Sequence, residues 1–184
     1  MEQENLTSYV SNLKLTSSIL FKTFDEIFIK ESNITILNKI KSTKEKGLTY
    51  KISFDNKEYI LHIRAMNNIT NSGWSDKPQI RRIQVDRKYL DDLVDTKENE
   101  LTIICGLVQF KNEPIFCFWN PKRYITHKTR CSCYVNVSSI NTAFKEGYYF
   151  GHDSGKEIYA CNSHNLQRVI IEFIKNNYIS GFDW

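Results

Sequence analysis

Leu48-Thr-Tyr-Lys-Ile-Ser-Phe54, followed by Asp55-Asn-Lys57 and then Glu58-Tyr-Ile-Leu-His-Ile-Arg64, decides how this chain is read. Tyr50, Ile52 and Phe54 alternate with polar residues, the period-two pattern of a strand with one buried face. Asp55-Asn56-Lys57 reads as a tight turn, although it lacks the glycine of the strongest hairpin signal. Tyr59 to Arg64 is then the returning strand. Working outward, Ile80–Val85, Leu101–Phe110, Pro114–Trp119, Cys133–Val137 and Glu157–Cys161 are further strand candidates, with Lys111-Asn112-Glu113 as a turn. Short helices are expected at Ser138–Phe144 and Ser163–Asn176, the second capped by Asn162 or Ser163. Gly147, Gly151 and Gly155 suggest a turn-rich link. Many short strands with two late helices predict a small barrel-like sheet in an α+β, mainly β protein.

Upstream of Leu48 the period changes. Leu6, Tyr9, Val10 and Leu13, then Leu20, Phe21, Phe24, Ile27 and Phe28, recur at helical spacings. A second short helix is expected over Ile34–Ile40, and Lys41–Gly47 reads as a charged connector ending in a turn glycine. The chain thus divides into an N-terminal helical segment, 1–45, and a second domain, 46–184. The helical periodicity suits either packing on that domain or docking to a partner subunit.

The chain has 184 residues, 41% hydrophobic and 25% charged, with a formal net charge of +4. That length suits one domain with a real core, with room for an appendage. No apolar run reaches the roughly 18–20 residues needed to span a bilayer, and the acidic start Met1-Glu-Gln-Glu-Asn5 is unlike a secretory leader. Five cysteines, an odd number, in a chain this size fit a reducing cytoplasm. The spacing of Cys131, Cys133, Cys161 and His164 lacks the knuckle pairs of structural zinc sites, so no metal and no cofactor is expected. Cys105 and Cys117 sit in apolar runs as small hydrophobes.

Charge is segregated. The stretch Arg64–Lys88 carries six basic residues against two acidic ones, and Trp119–Arg130 carries four against none, while Asp91, Asp92, Asp95, Glu98 and Glu100 crowd the sequence between them. Both basic stretches join predicted strands. In the first, Arg64, Lys77, Arg81 and Arg82 are the candidate phosphate or guanine contacts. Asn67, Asn68, Asn71, Ser72, Ser75 and Gln79 are the candidate readers of base edges. In the second, Lys122, Arg123, Lys128 and Arg130 supply charge beside Asn120, Tyr124, Thr126 and His127. Basic groups for phosphates beside amides and hydroxyls for bases form the mixture that sequence-specific DNA binding needs. Trp74 lies among turn formers and either anchors its loop or stacks on an unpaired base.

Ser72-Gly-Trp-Ser-Asp-Lys-Pro-Gln-Ile-Arg-Arg-Ile-Gln-Val85 and Phe118-Trp-Asn-Pro-Lys-Arg-Tyr124 carry a resemblance to a known family. From about Leu48 onward the chain resembles the B-three-type DNA-recognition domain of plant transcription factors and bacterial restriction systems, as in the amino-terminal part of EcoRII and in McrBC-like modules. The resemblance implies an open pseudobarrel of about seven short strands with two short helices, here preceded by the N-terminal helical segment. Two loop arms of that pseudobarrel would grip the major groove. The acidic stretch 91–100 matches no feature of that family.

Enzymatic patterns are weak. Asp55-Asn56-Lys57 gives only the last tripeptide of a PD-(D/E)XK nuclease, and in a turn. Gly151-His-Asp-Ser-Gly-Lys156 is one residue short of a phosphate loop and has no Ser or Thr after its lysine. His152, Asn162 and His164 lack the surroundings of an HNH nuclease. The sequence therefore predicts a non-catalytic module reading double-stranded DNA in a prokaryotic restriction system, with sensitivity to methylation left open. A nuclease, ATPase or GTPase is expected in another domain or subunit. The alternatives are a small complete restriction endonuclease and a protein-interaction module whose basic face meets an acidic partner.

Overall fold

A computed structural model describes residues 5–40, 47–86, 99–124 and 129–179. Two sheets and three α-helices make up the described fold. The large sheet has seven strands in the order β1-β2-β3-β6-β7-β10-β9. They are β1 (Thr35–Ile40), β2 (Leu48–Phe54), β3 (Lys57–Asn68), β6 (Glu100–Phe110), β7 (Glu113–Trp119), β10 (Lys156–Asn162) and β9 (Tyr148–Asp153). The small sheet is β4 (Thr70–Asn71), β5 (Ile80–Asp86) and β8 (Arg130–Asn136), in the order β4-β5-β8. Among the described residues these sheets do not close into a barrel, and the mainly β, α+β reading holds.

Every neighbouring pair is antiparallel except β3–β6. A parallel pair needs a crossover, and here the crossover runs through β4 and β5. That connection lays the small sheet over one face of the large one. Helix α2 (Val137–Glu146) covers the same face, while α1 (Ser17–Lys30) and α3 (Leu166–Ile174) cover the other. The result is three layers. Strand β6 shows how the sequence specifies them: Leu101, Ile103, Cys105 and Leu107 join the core under α1 and α3, whereas Ile104, Val108 and Phe110 join the core under the small sheet. A central strand packed on both faces reads as a continuous apolar run. All five cysteines are free and buried in these cores.

The hairpins hold without glycine in two cases. Asp55 and Asn56 have φ of 49° and 59°, and Lys111 and Asn112 have φ of 50° and 66°. Asp and Asn tolerate this left-handed region better than other residues do. Gly47 is different: its φ is +100° and a Cβ there would meet the Ile63 carbonyl oxygen at 1.9 Å. Gly106 marks the close approach of the layers, since a Cβ would stand 2.8 Å from Ile69 Cγ1 and 3.0 Å from Ile83 Cγ2. Gly106→Val is therefore expected to pry the sheets apart and cost about 1–3 kcal/mol. A urea midpoint unchanged by that substitution would show that the layers are not in contact there.

Three sequence expectations need correction. Within Ile34–Ile40 the chain forms the edge strand β1 from Thr35 on, not a helix; β-branched Thr35, Ile36 and Ile40 suit a strand, and the free edge of β2 accepts it. The glycine-rich stretch after Gly147 is strand β9, paired with β10 through a two-residue turn at Ser154 (φ 52°) and Gly155 (φ 75°). Leu6–Tyr9 forms only one 3-10 turn, after which Val10 bridges Phe110. Of the two roles open to the helical periodicity, α1 takes the first, packing Leu20, Phe24 and Phe28 onto the large sheet.

A buried amide ties these parts together. Gln167, fully buried near the start of α3, donates from Nε2 to the Phe28 and Glu31 carbonyls and accepts from Ile34 N at 2.7 Å. Glu31 returns the connection by accepting from the Leu166 and Gln167 amides at 3.0 and 2.9 Å, serving as a cap for α3. Burial raises the Glu31 carboxyl above its usual value, against the pull of those two amides.

Candidate nucleic-acid interface

The first basic loop is a compact hairpin tip held by its own backbone. Ser72 N donates to Ile80 O at 3.3 Å, Lys77 N to Trp74 O at 3.3 Å and Ile80 N to Lys77 O at 3.0 Å. Buried Ser72 accepts from Trp74 N. Arg81 is only 6% exposed, and its guanidinium donates to Asn71 Oδ1 at 3.2 Å and to the Pro78 carbonyl, bracing the loop from inside. Ser75, Lys77 and Gln79 are left exposed. Trp74 stacks on Tyr134 of β8 with centroids 4.9 Å apart and 22° between planes, and Lys77 Nζ lies 5.3 Å from the indole centroid. Arg82 reaches Ser132 Oγ at 3.5 Å.

The second loop is pinned at its start. Asn120 accepts from Lys122 N and donates to Asn177 Oδ1 at 2.7 Å. Lys122 Nζ lies 4.9 Å from the Tyr178 ring centroid, and Arg123 pairs with Glu157 at 3.5 Å. Tyr124 turns inward and is buried; burial raises its phenol well above the ordinary value. Lys156 Nζ sits 4.6 Å from that ring and donates to Arg123 O at 2.8 Å. Arg130 pairs with Asp86 at 2.7 Å across the β5–β8 register. Thr126, His127, Lys128 and the acidic residues Asp91, Asp92, Asp95 and Glu98 lie outside the described residues.

The two loops meet at one cleft of about 460 Å³, lined by Trp74 from the first, Tyr124 and Arg130 from the second, and Cys131, Ser132, Tyr134, Asp153, Ser154 and Lys156. Sequence reasoning singled out the first three but missed Ser132, Tyr134, Asp153, Ser154 and Lys156. A signal was there: Cys-x-Cys-x-Val on β8 fixes one buried face and so turns Ser132 and Tyr134 outward. Asp153 and Lys156 are cross-strand partners at the β9–β10 turn, which the sequence reading treated as irregular. Asp153 accepts from Asn136 N at 2.7 Å and Ser139 Oγ at 3.1 Å. A hydrogen bond from the Cys133 thiol, and then nearby Lys156, lower the Cys131 thiol against its burial, while burial raises Cys133. The cleft thus offers a stacking wall, hydroxyl and carboxylate groups, and two cations. Among the described residues no group of three or more His, Cys, Asp or Glu side chains could hold a metal ion, and no helix is long and apolar enough to cross a membrane.

Three candidate residues stand apart from the cleft and serve internal bonds. Asn68 clamps Leu15 through both its backbone groups, and Asn67 donates to Gln84 O. Arg64, on β3, bonds Leu48 O, Thr49 Oγ1 and His62 Nδ1. Burial first, and Arg64 second, lower His62 below its ordinary 6.5, against the pull of Glu100. A lowered histidine stabilises the fold fully above that value and loses the contribution as pH falls through the folded pKa. Relative to His62→Gln, the natural chain should lose stability on acidification from about pH 7 to about pH 5. Parallel curves for the two proteins would contradict this.

Residues 57–170, more than half of the chain, match the family described as methylase-associated X1. No match was found among curated proteins or among solved structures. The setting implied by the B-three resemblance agrees with this result at the level of the system. With strands β3 to β10 and the whole cleft inside the matched span, the chain belongs to the methylase-associated X1 family, a domain linked to restriction-modification systems.

Proposed function

We propose that this chain is a sequence-specific double-stranded DNA recognition module of a prokaryotic restriction-modification system, setting its two basic loops in the major groove. The observation that carries the reading is the convergence of residues from both loops on a single cleft lined by two cations, Arg130 and Lys156. The methylase linkage of the family supports it, because modification and restriction both require the same site to be read. Lys77, Arg82, Lys122, Arg123, Arg130 and Lys156 would meet phosphates, and exposed Gln79 and Ser75 would face base edges. Arg81, Asn120 and Tyr124 would hold the loops in shape. The methylase, nuclease or motor would reside in another domain or subunit.

The test is selection of bound duplexes from a random library, with and without methylated cytosine, followed by salt titration on the winner. Neutralising four to six phosphates predicts a slope of log K against log salt of roughly −4 to −5, at about −0.9 per contact. Binding that is flat across the salt range would remove the groove-gripping reading. Gln79→Ala should weaken the selected duplex by about 1–3 kcal/mol and random DNA hardly at all. Lys77→Ala should weaken both alike, since phosphates carry no sequence information. Equal losses for both variants on both duplexes would mean that the first loop only anchors.

A further inference from the structure

We infer that the cleft between the loops takes one unstacked nucleobase bearing an exocyclic amino group, together with its phosphate; this rests on the DNA reading where the base comes from a duplex. The cleft's volume of about 460 Å³ lies within the roughly 300–1,000 Å³ of small-ligand sites. Its wall is a preformed aromatic pair, Tyr134 backed against Trp74 at 4.9 Å, and such platforms hold a base through its π-face whatever its identity. Its floor is the buried Tyr124 ring and the Cys131 thiol.

Identity comes from Asp153. This carboxylate is 9% exposed, lines the cleft, and holds one donor on each oxygen, the Asn136 amide and the Ser139 hydroxyl. An ionised carboxylate accepts about four hydrogen bonds, so acceptor capacity remains on both oxygens. An amino N–H of cytosine, adenine or guanine supplies a further donor; thymine offers no amino group and would set its carbonyl oxygen against the carboxylate. Lys156 has donors beyond its bond to Arg123 O, and Arg130 has donors beyond its bond to Asp86. Both line the cleft, where they would meet the phosphate of an inserted base.

The base could be drawn from a duplex or arrive on a free nucleotide, and the test separates these sources. The full chain is titrated with dCMP, dAMP and dTMP, read by tryptophan emission, and with duplexes alike except that one C, A or T faces an abasic site. Extrusion is cheapest for such an unpaired base. The expected result is about tenfold or tighter binding of the C and A duplexes over the fully paired one, with T well behind. Tyr134→Ala should erase the preference, Tyr134→Phe should keep it, and Asp153→Asn should remove the discrimination against T. Equal affinity for paired and unpaired duplexes, with salt-dependent binding intact and no monophosphate bound, would overturn the cleft and leave the DNA reading standing. Monophosphate binding without duplex binding would overturn the DNA reading and leave the cleft as a nucleotide site. A preference that survives Tyr134→Ala and Asp153→Asn would place the base elsewhere and overturn the inference.

Discussion

Gln167→Leu is expected to lower the unfolding free energy by about 3 kcal/mol, because it strands two buried backbone groups and one part-buried one at once. Leucine fills much the same volume but offers no partner to the Phe28 and Glu31 carbonyls or to the Ile34 amide. Each buried group left unpaired costs about 1–3 kcal/mol, and the total stability of a domain is only about 5–15 kcal/mol. These groups sit where α1 ends and just before β1 begins, and Gln167 sits at the start of α3, so the defect loosens three elements together. A urea titration checks it. A shift below about 1 kcal/mol would mean that the three groups find other partners on relaxation. Glu31→Ala should cost less, since Glu31 itself is partly exposed and its removal lets water in to the two amides it uncaps.

Lys77→Gln, Arg82→Gln and Lys156→Gln combined are expected to weaken duplex binding by roughly 500-fold near 0.1 M salt. The arithmetic follows from counterion release: each phosphate contact contributes about 0.9 in log K per tenfold dilution of salt below 1 M, or roughly eightfold at 0.1 M. Three lost contacts multiply, and the salt slope should become shallower by nearly three units. The three side chains lie on different strands or loops around the cleft, and none forms a salt bridge with a described carboxylate. Lys156 also donates to the Arg123 carbonyl and Arg82 to Ser132 Oγ, so the urea midpoint should fall slightly, by the loss of two partly exposed hydrogen bonds. A loss of affinity with no change in slope would show that these cations shape the protein rather than neutralise phosphate.

The hairpins, the central strands and the two late helices were legible because their signals are local: alternation at Tyr50, Ile52 and Phe54, left-handed-tolerant Asn at positions 56 and 112, and Asn162, which caps the 3-10 turn leading into α3 rather than α3 itself. Strand β1 was not, because Ile34, Leu37, Asn38 and Ile40 fit a helical spacing equally well, and only the exposed edge of β2 decides between them. Strand β9 was hidden by glycines that turned out to lie within or beside it. Of the candidate site, the loops were visible as charge, but their inward residues were not. Arg81, Asn120 and Tyr124 have the composition of binding residues and the burial of braces, a distinction set by backbone carbonyls and distant residues such as Asn177. The cleft itself required knowing that β8 lies beside β5 and that the β9–β10 turn approaches it.

The parallel pairing of β3 with β6 has a consequence in time. Strand β5 leaves the chain early, yet its partner β8 is made some 50 residues later, roughly 3–10 seconds at cellular rates of synthesis. Until then Ile83 and Val85 have no neighbouring strand beyond the two residues of β4, and Trp74 has no Tyr134 to rest on. Pairings of such long sequence separation also form slowly once both strands exist. The face proposed to meet DNA is thus among the last parts of the molecule to assemble, so a growing chain on the ribosome carries its charges long before it has the cleft they surround.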